Sequence, residues 1–210
     1  MTRARVMIPF RLVIALIGLV AVGTQFGVTL VEDYSVVNFF SYYTNLSNLF
    51  AVVVFSVGAV RTLRRRPGSR GWDVVRLVNV VNMVFVGLVF NLLLAGVGGG
   101  VIPWVNVVVH MLVPVAALID WLVLPAGRRL PWSAALVGLV TPVVYSVYTI
   151  IRGAVIGFYP YPFYDPAAQG GGGGVAVYVG VLLVALTVLS FALVGLGRLS
   201  GRFWRARRGS

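Results

Sequence analysis

Six apolar runs, each long enough to cross a bilayer as a helix, dominate this chain: residues 12–31, 39–60, 74–95, 101–124, 132–151 and 175–196. About 20 residues rising about 1.5 Å each traverse the ~30 Å hydrocarbon core. In lipid the backbone N–H and C=O groups must pair within a helix or around a closed barrel, and the alternating pattern of barrel strands is absent here. The expected fold is therefore all-α, one polytopic bundle of six transmembrane helices spanning residues 1–210. Hydrophobic residues make up 60% of the chain and charged residues 10%, against about 25% charged in soluble domains. That balance excludes a water-soluble fold.

Arginine placement sets the expected orientation, because positively charged loops are held in the cytoplasm during insertion. All seventeen cationic residues are arginine, a usage that suggests a GC-rich bacterial genome and a bacterial inner membrane. Arg3, Arg5 and Arg11 precede or open the first run. Arg61, Arg64, Arg65, Arg66, Arg70 and Arg76 follow the second, Arg128 and Arg129 follow the fourth, and Arg198, Arg202, Arg205, Arg207 and Arg208 form the tail. Only Arg152 falls on the other side, with Glu32, Asp33 and Asp165. Both termini are thus expected in the cytoplasm of a multi-pass cell-membrane protein. The basic N-terminus resembles a secretory signal, but a 20-residue run exceeds the usual signal core, so a retained helix is expected.

The arginines invite a nucleic-acid or anionic-lipid reading, but no RNA motif accompanies them, and topogenesis explains them. Trp72, Trp104, Trp121, Trp132 and Trp204 fall at run ends as expected interfacial anchors. Gly23 and Gly27 form a small-xxx-small pair on the first span. The glycine tracts 98–100 and 170–174 are flexible outward turns; without lysine neither is a phosphate loop. With no cysteine and one histidine, the chain offers no thiolate chemistry and no metal-ligand spacing, and no cofactor is expected. Partners reduce to the bilayer and a lipid-like small molecule; oligomeric state is unreadable.

Polar groups are costly in hydrocarbon unless paired, so their positions inform most. Helical geometry puts Ser41, Thr44, Asn45 and Asn48 on one face of the second span, and Asn106 and His110 on one face of the fourth, with Pro114 a turn later. Both spans run inward, so Thr44 and His110 belong to the outer half. Asn91, Tyr145, Tyr148 and Thr149, near the ends of the third and fifth spans, reach the same level. The loop containing Tyr161, Pro162 and Phe163 lies above them as an aromatic lid. A threonine hydroxyl becomes a nucleophile when a neutral imidazole removes its proton. Asn45, Asn48 or Asn106 could donate hydrogen bonds to an oxyanion. A Thr44–His110 dyad implies acyl transfer from a lipid-like ester. Equally, a membrane threonine can bond back to its own helix, and a histidine can tie two helices together.

Three elements together resemble the family of androgen-induced and androgen-dependent TFPI-regulating proteins and its prokaryotic six-span relatives. They are Tyr43-Thr44-Asn45 opening the second span, His110 with Pro114 and Asp120 in the fourth, and Tyr161-Pro162-Phe163 in the last outward loop. The animal members are threonine hydrolases of fatty-acid esters of hydroxy fatty acids. The resemblance implies Thr44 as nucleophile and His110 as base. It departs at Asp120, where the animal proteins carry glutamate, and at Pro114, one residue nearer the histidine. Asp120 lies too far toward the cytoplasm to orient His110. Two other readings stay open: a small transporter or lipid-binding protein whose polar pocket holds a ligand without cutting it, and a membrane scaffold.

Overall fold

A computed structural model describes residues 3–66, 68–97, 100–126 and 130–209. Arg128, Arg129, Gly98, Gly99 and the side chain of Arg208 lie outside the described residues. Among the described residues six helices are long and apolar enough to cross a membrane. They are Arg3–Val31, Tyr43–Leu63, Arg70–Leu94, Pro103–Val123, Ala134–Ile156 and Gly172–Arg207, called here the first to sixth spans. The distribution of residue types is inverted relative to a soluble protein. Val31, Leu92 and Val155 are 84%, 75% and 78% exposed, while Asn48, Asn79, Asn82, His110 and Asp120 are buried. An apolar exterior that encloses buried polar and charged side chains is stable only in lipid. The chain is a multi-pass integral membrane protein.

The third span sits at the centre, packed against the second, fourth, fifth and sixth, and the first lies along the second. Helix ends differ from the apolar runs because a helix does not stop where hydrocarbon does. The first span begins at Arg3, nine residues ahead of its apolar run. The second begins later, at Tyr43. Ahead of it a short helix, Val36–Phe39, starts at Ser35, whose Oγ accepts from the Asn38 N–H. Ser41 therefore lies in the break between two helices and not on the Thr44 face.

Three expectations about individual residues are corrected by packing. Trp121 is no interfacial anchor: it is 1% exposed, and its Nε1–H donates to Leu193 O at 2.9 Å. Gly23 and Gly27 form no packing seam, since nothing stands within 4 Å of where a Cβ would be added. Arg11 and Arg76 are not loop charges. Both are buried within spans, and both grip Asp120, through Arg11 Nε at 2.5 Å and Arg76 Nη2 at 2.9 Å. Arg11 also donates to Gly58 O, and Arg76 to Leu124 O. This cluster joins the first four spans in the half of the bundle that carries the termini.

Candidate functional site

At the opposite end, two helices each depart from α-geometry as they pass the same place. The third span closes in a π turn, Phe90–Leu94, and the fourth contains another, Val108–Leu112. Such turns add a residue per cycle and often mark functional positions. The second has a cause in the sequence: Pro114 has no N–H to offer the His110 carbonyl four residues earlier, so one α-helical bond is missing there. The His110 carbonyl lies against Gly87, where an added Cβ would stand 3.1 Å from it. The imidazole is clamped against the Phe90 ring, centroids 3.8 Å apart and planes 14° from parallel.

His110 bridges two neighbours. Its Nδ1 meets the Asn106 Oδ1 at 2.6 Å and the Asn106 backbone carbonyl at 3.1 Å. The backbone oxygen can only accept, so in the neutral ring Nδ1 carries the proton and Nε2 presents the lone pair. That nitrogen lies 3.4 Å from the Thr44 Oγ1. Thr44, 9% exposed, is in the first turn of the second span, where backbone N–H groups have no helical partner.

The partner is Tyr161. Its hydroxyl oxygen accepts from the Thr44 N–H at 3.2 Å and stands 3.2 Å from Oγ1. Having accepted from the amide, the phenol is free to donate its own proton to Oγ1, and Oγ1 in turn to His110. A directed chain results: Thr44 N–H to Tyr161, Tyr161 to Thr44 Oγ1, Oγ1 to His110 Nε2, and Nδ1–H to Asn106. Burial pushes the Tyr161 hydroxyl up to about 12, against the pull of its hydrogen bonds to Thr44, so it keeps its proton at neutral pH. The lid tyrosine is thus a polar member of the constellation. Phe163 stacks on its ring, planes 7° apart, from the short turn Pro162–Tyr164.

The other expected residues are distributed differently. Asn48 Nδ2 donates to the Thr44 and Val109 carbonyls, which ties the second span to the fourth. Asn45 Nδ2 donates to Phe39 O and closes the helix break. Asn106 orients His110 through its oxygen. The Asn45 and Asn48 amide nitrogens are thus committed to backbone carbonyls, whereas Asn106 is engaged through its oxygen. Ser41 donates to Val37 O and sits 3.2 Å from the Tyr148 hydroxyl, while its carbonyl accepts from Tyr145 at 2.8 Å. These three brace the helix break beside the site. Thr149, one turn beyond Tyr145 on the fifth span, is buried at 1% exposure. Asn91 is outside the site: it is exposed, and its amide folds back onto Gly87 O at 2.7 Å.

Beside Thr44 lies an open cleft of about 420 Å³, its mouth included. Phe85, Val89 and Phe90 of the third span, Pro142 and Tyr145 of the fifth and Leu182 of the sixth line it. Its lining is mostly apolar, and Thr44 and Tyr161 are among the residues that face it. Sequence reasoning missed Phe90, which has no distinguishing mark in an apolar run. It also missed Asn82, whose Oδ1 accepts from the Tyr43 hydroxyl at 2.9 Å and steadies the residue before the threonine. An amide deep in the third span was a legible signal for that one.

Fold and site together define a class: an all-helical, six-span membrane protein with a buried hydroxyl and imidazole facing each other at the end remote from its termini. Comparison of the chain with protein families, curated proteins and solved structures finds no match.

Proposed function

We propose that this protein is an intramembrane hydrolase of lipid esters, with Thr44 as nucleophile and His110 as general base. The observation that carries this reading is the Thr44 Oγ1 to His110 Nε2 approach of 3.4 Å, with Nδ1 anchored on Asn106. Nucleophile, base and orienting group recur in this order in unrelated hydrolases. The family resemblance assigns the same two residues the same roles. The cationic tail and basic loop support cytoplasmic termini, and on that reading the site opens toward the outer leaflet of a bacterial inner membrane.

In the first half-reaction His110 Nε2 takes the Oγ1 proton as Oγ1 attacks the ester carbonyl carbon. The carbonyl oxygen becomes an oxyanion beside the Tyr161 hydroxyl and the Thr44 N–H, which exchange their mutual hydrogen bond for bonds to it. Collapse breaks the bond to the alcohol oxygen, which leaves with the proton from His110, and the acyl group remains on Thr44. Water then repeats the sequence: His110 takes its proton, the hydroxide oxygen attacks the acyl carbon, and Thr44 Oγ1 departs reprotonated. The acyl chain occupies the apolar cleft, whose lining offers burial to methylenes at about 25 cal/mol per Å².

Purified protein given fluorogenic acyl esters and a fluorophosphonate probe tests the reading. Turnover and labelling that survive in both Thr44→Ala and His110→Ala would remove it, and saturable lipid binding without turnover would favour the binding alternative. Asn106→Ala is expected to lower kcat by about 10²-fold by freeing the imidazole, while Asn106→Asp, which still accepts from Nδ1, restores most of it. Tyr161→Phe removes one oxyanion donor and should cost about 10²-fold in kcat with little change in KM. Gly87→Ala gains about 1 kcal/mol of helix propensity, yet its Cβ would press on the His110 carbonyl and on Pro114 at 3.2 Å. Thermal stability should hold within a few degrees while turnover falls about 10²-fold, the cost of a small misplacement of the base.

A further inference from the structure

A second cleft, of about 270 Å³, lies at the other end of the bundle, on the face that carries the termini. Trp121, Leu130 and Val194 form its apolar wall, and Gly197, Arg198, Gly201 and Arg205 its sixth-span side. Its depth follows from helix length. The sixth helix, Gly172–Gly209, has 38 residues and at 1.5 Å each extends about 57 Å, well beyond the ~30 Å of hydrocarbon. The apolar run ends at residue 196, so the turns from Arg198 to Arg205 occupy the headgroup layer.

Among the described residues, no carboxylate pairs with the charge in this cleft. Of the five carboxylates in the chain, Glu32, Asp33 and Asp165 lie beyond the opposite ends of the spans, and Asp73 and Asp120 are held by Arg76 and Arg11. Arg198 is fixed by two donations to Leu130 O, at 2.9 and 2.7 Å, and lies 4.1 Å over the Trp132 ring. Its position is therefore set before any ligand arrives, and its Nη1 has no hydrogen-bond partner among the described residues. Arg205 has no hydrogen bond or ion pair to any described residue. The close approach of the sixth span to Trp121 depends on Gly197, where an added Cβ would fall 2.7 Å from the indole.

We propose that this cleft is a binding site for the phosphodiester headgroup of an anionic phospholipid, held by Arg198 and Arg205 with its proximal acyl carbons against Trp121 and Val194. Two guanidinium groups over an apolar wall match a group that is anionic at one end and hydrocarbon at the other. Retention of positive charge in the cytoplasm explains why arginines occur on this face, but it is indifferent to which of them lines a cleft. Arg202, exposed and outside the cleft, supplies the control.

The protein is reconstituted in mixed phosphatidylcholine and phosphatidylglycerol bilayers, extracted in mild detergent, and its retained lipid counted by native mass spectrometry. Wild type is expected to keep one phosphatidylglycerol. Arg205→Gln should reduce retention by about fivefold or more, and Arg202→Gln should not. Gly201→Leu fills the cleft without altering charge and should also release the lipid; thermal melting confirms that each variant is folded. Equal losses in Arg202→Gln and Arg205→Gln, or equal retention of phosphatidylcholine, would overturn the proposal. So would binding of inorganic phosphate alone in lipid-free detergent with the same dependence on Arg205, since that is an anion site and not a lipid site.

Discussion

Replacing Thr44 or His110 by alanine should abolish ester turnover, each by about 10³-fold or more, with the double variant scarcely worse than either single one. Groups that act as one unit lose their effect together: without the imidazole the hydroxyl keeps its proton, and without the hydroxyl the base has nothing to activate. Thr44→Ser should retain turnover, because a primary hydroxyl at the same position still meets Nε2. Fluorophosphonate labelling should follow the same pattern, since the probe reports the activated oxygen and not the affinity of the cleft. Thermal melting of Thr44→Ala should stay near wild type, while His110→Ala, which empties the place of the imidazole against Phe90, should melt several degrees lower yet remain folded. In both variants Asn48 continues to tie the second span to the fourth through the Thr44 and Val109 carbonyls.

The second large effect is on stability and lies at the other end. Asp120→Ala removes the carboxylate that accepts from Arg11 at 2.5 and 3.1 Å and from Arg76 at 2.9 and 3.2 Å. Two guanidinium groups, 4% and 6% exposed, then face each other within the bundle. Removing one partner of a buried pair costs about 3–5 kcal/mol because the surviving charge is uncompensated. Reversible unfolding in mixed detergent should show that loss, and Arg11→Met with Asp120→Leu together should recover part of it. Turnover per folded molecule should change little. Ten residues separate Asp120 from His110, about 15 Å along a helix, and its contacts are all with the arginines and their neighbours. The acidic residue that the family resemblance places after the histidine is, in this chain, a structural counter-ion.

Architecture was readable because lipid imposes a single rule on each apolar run independently: its backbone must pair within itself. Six runs therefore meant six helices, whatever their neighbours. Depth was readable too, since alternation of direction carries Thr44 and His110 to one level. Which way each side chain turns was not. Asn91 and Asn106 look alike in the sequence, yet one folds back on its own helix in the lipid-facing zone and the other holds His110. Of the two π turns beside the site, only that at His110 has a sequence cause, the missing N–H of Pro114. Arg11 and Arg76 likewise read as flanking charges, because a sequence does not show that Asp120 on another helix waits at the same depth.

By itself, then, the amino-acid order determined the number of spans, their alternation and the set of polar residues that must be kept from lipid. Tertiary packing alone decided the pairings among them: Thr44 with His110 and Tyr161, Asn106 with the imidazole, Asp120 with two arginines. The physical reason is one of range. Helix formation in a bilayer is satisfied by bonds four or five residues apart, whereas a polar side chain finds its partner across the bundle, 66 residues away for Thr44 and His110 and 117 for Thr44 and Tyr161.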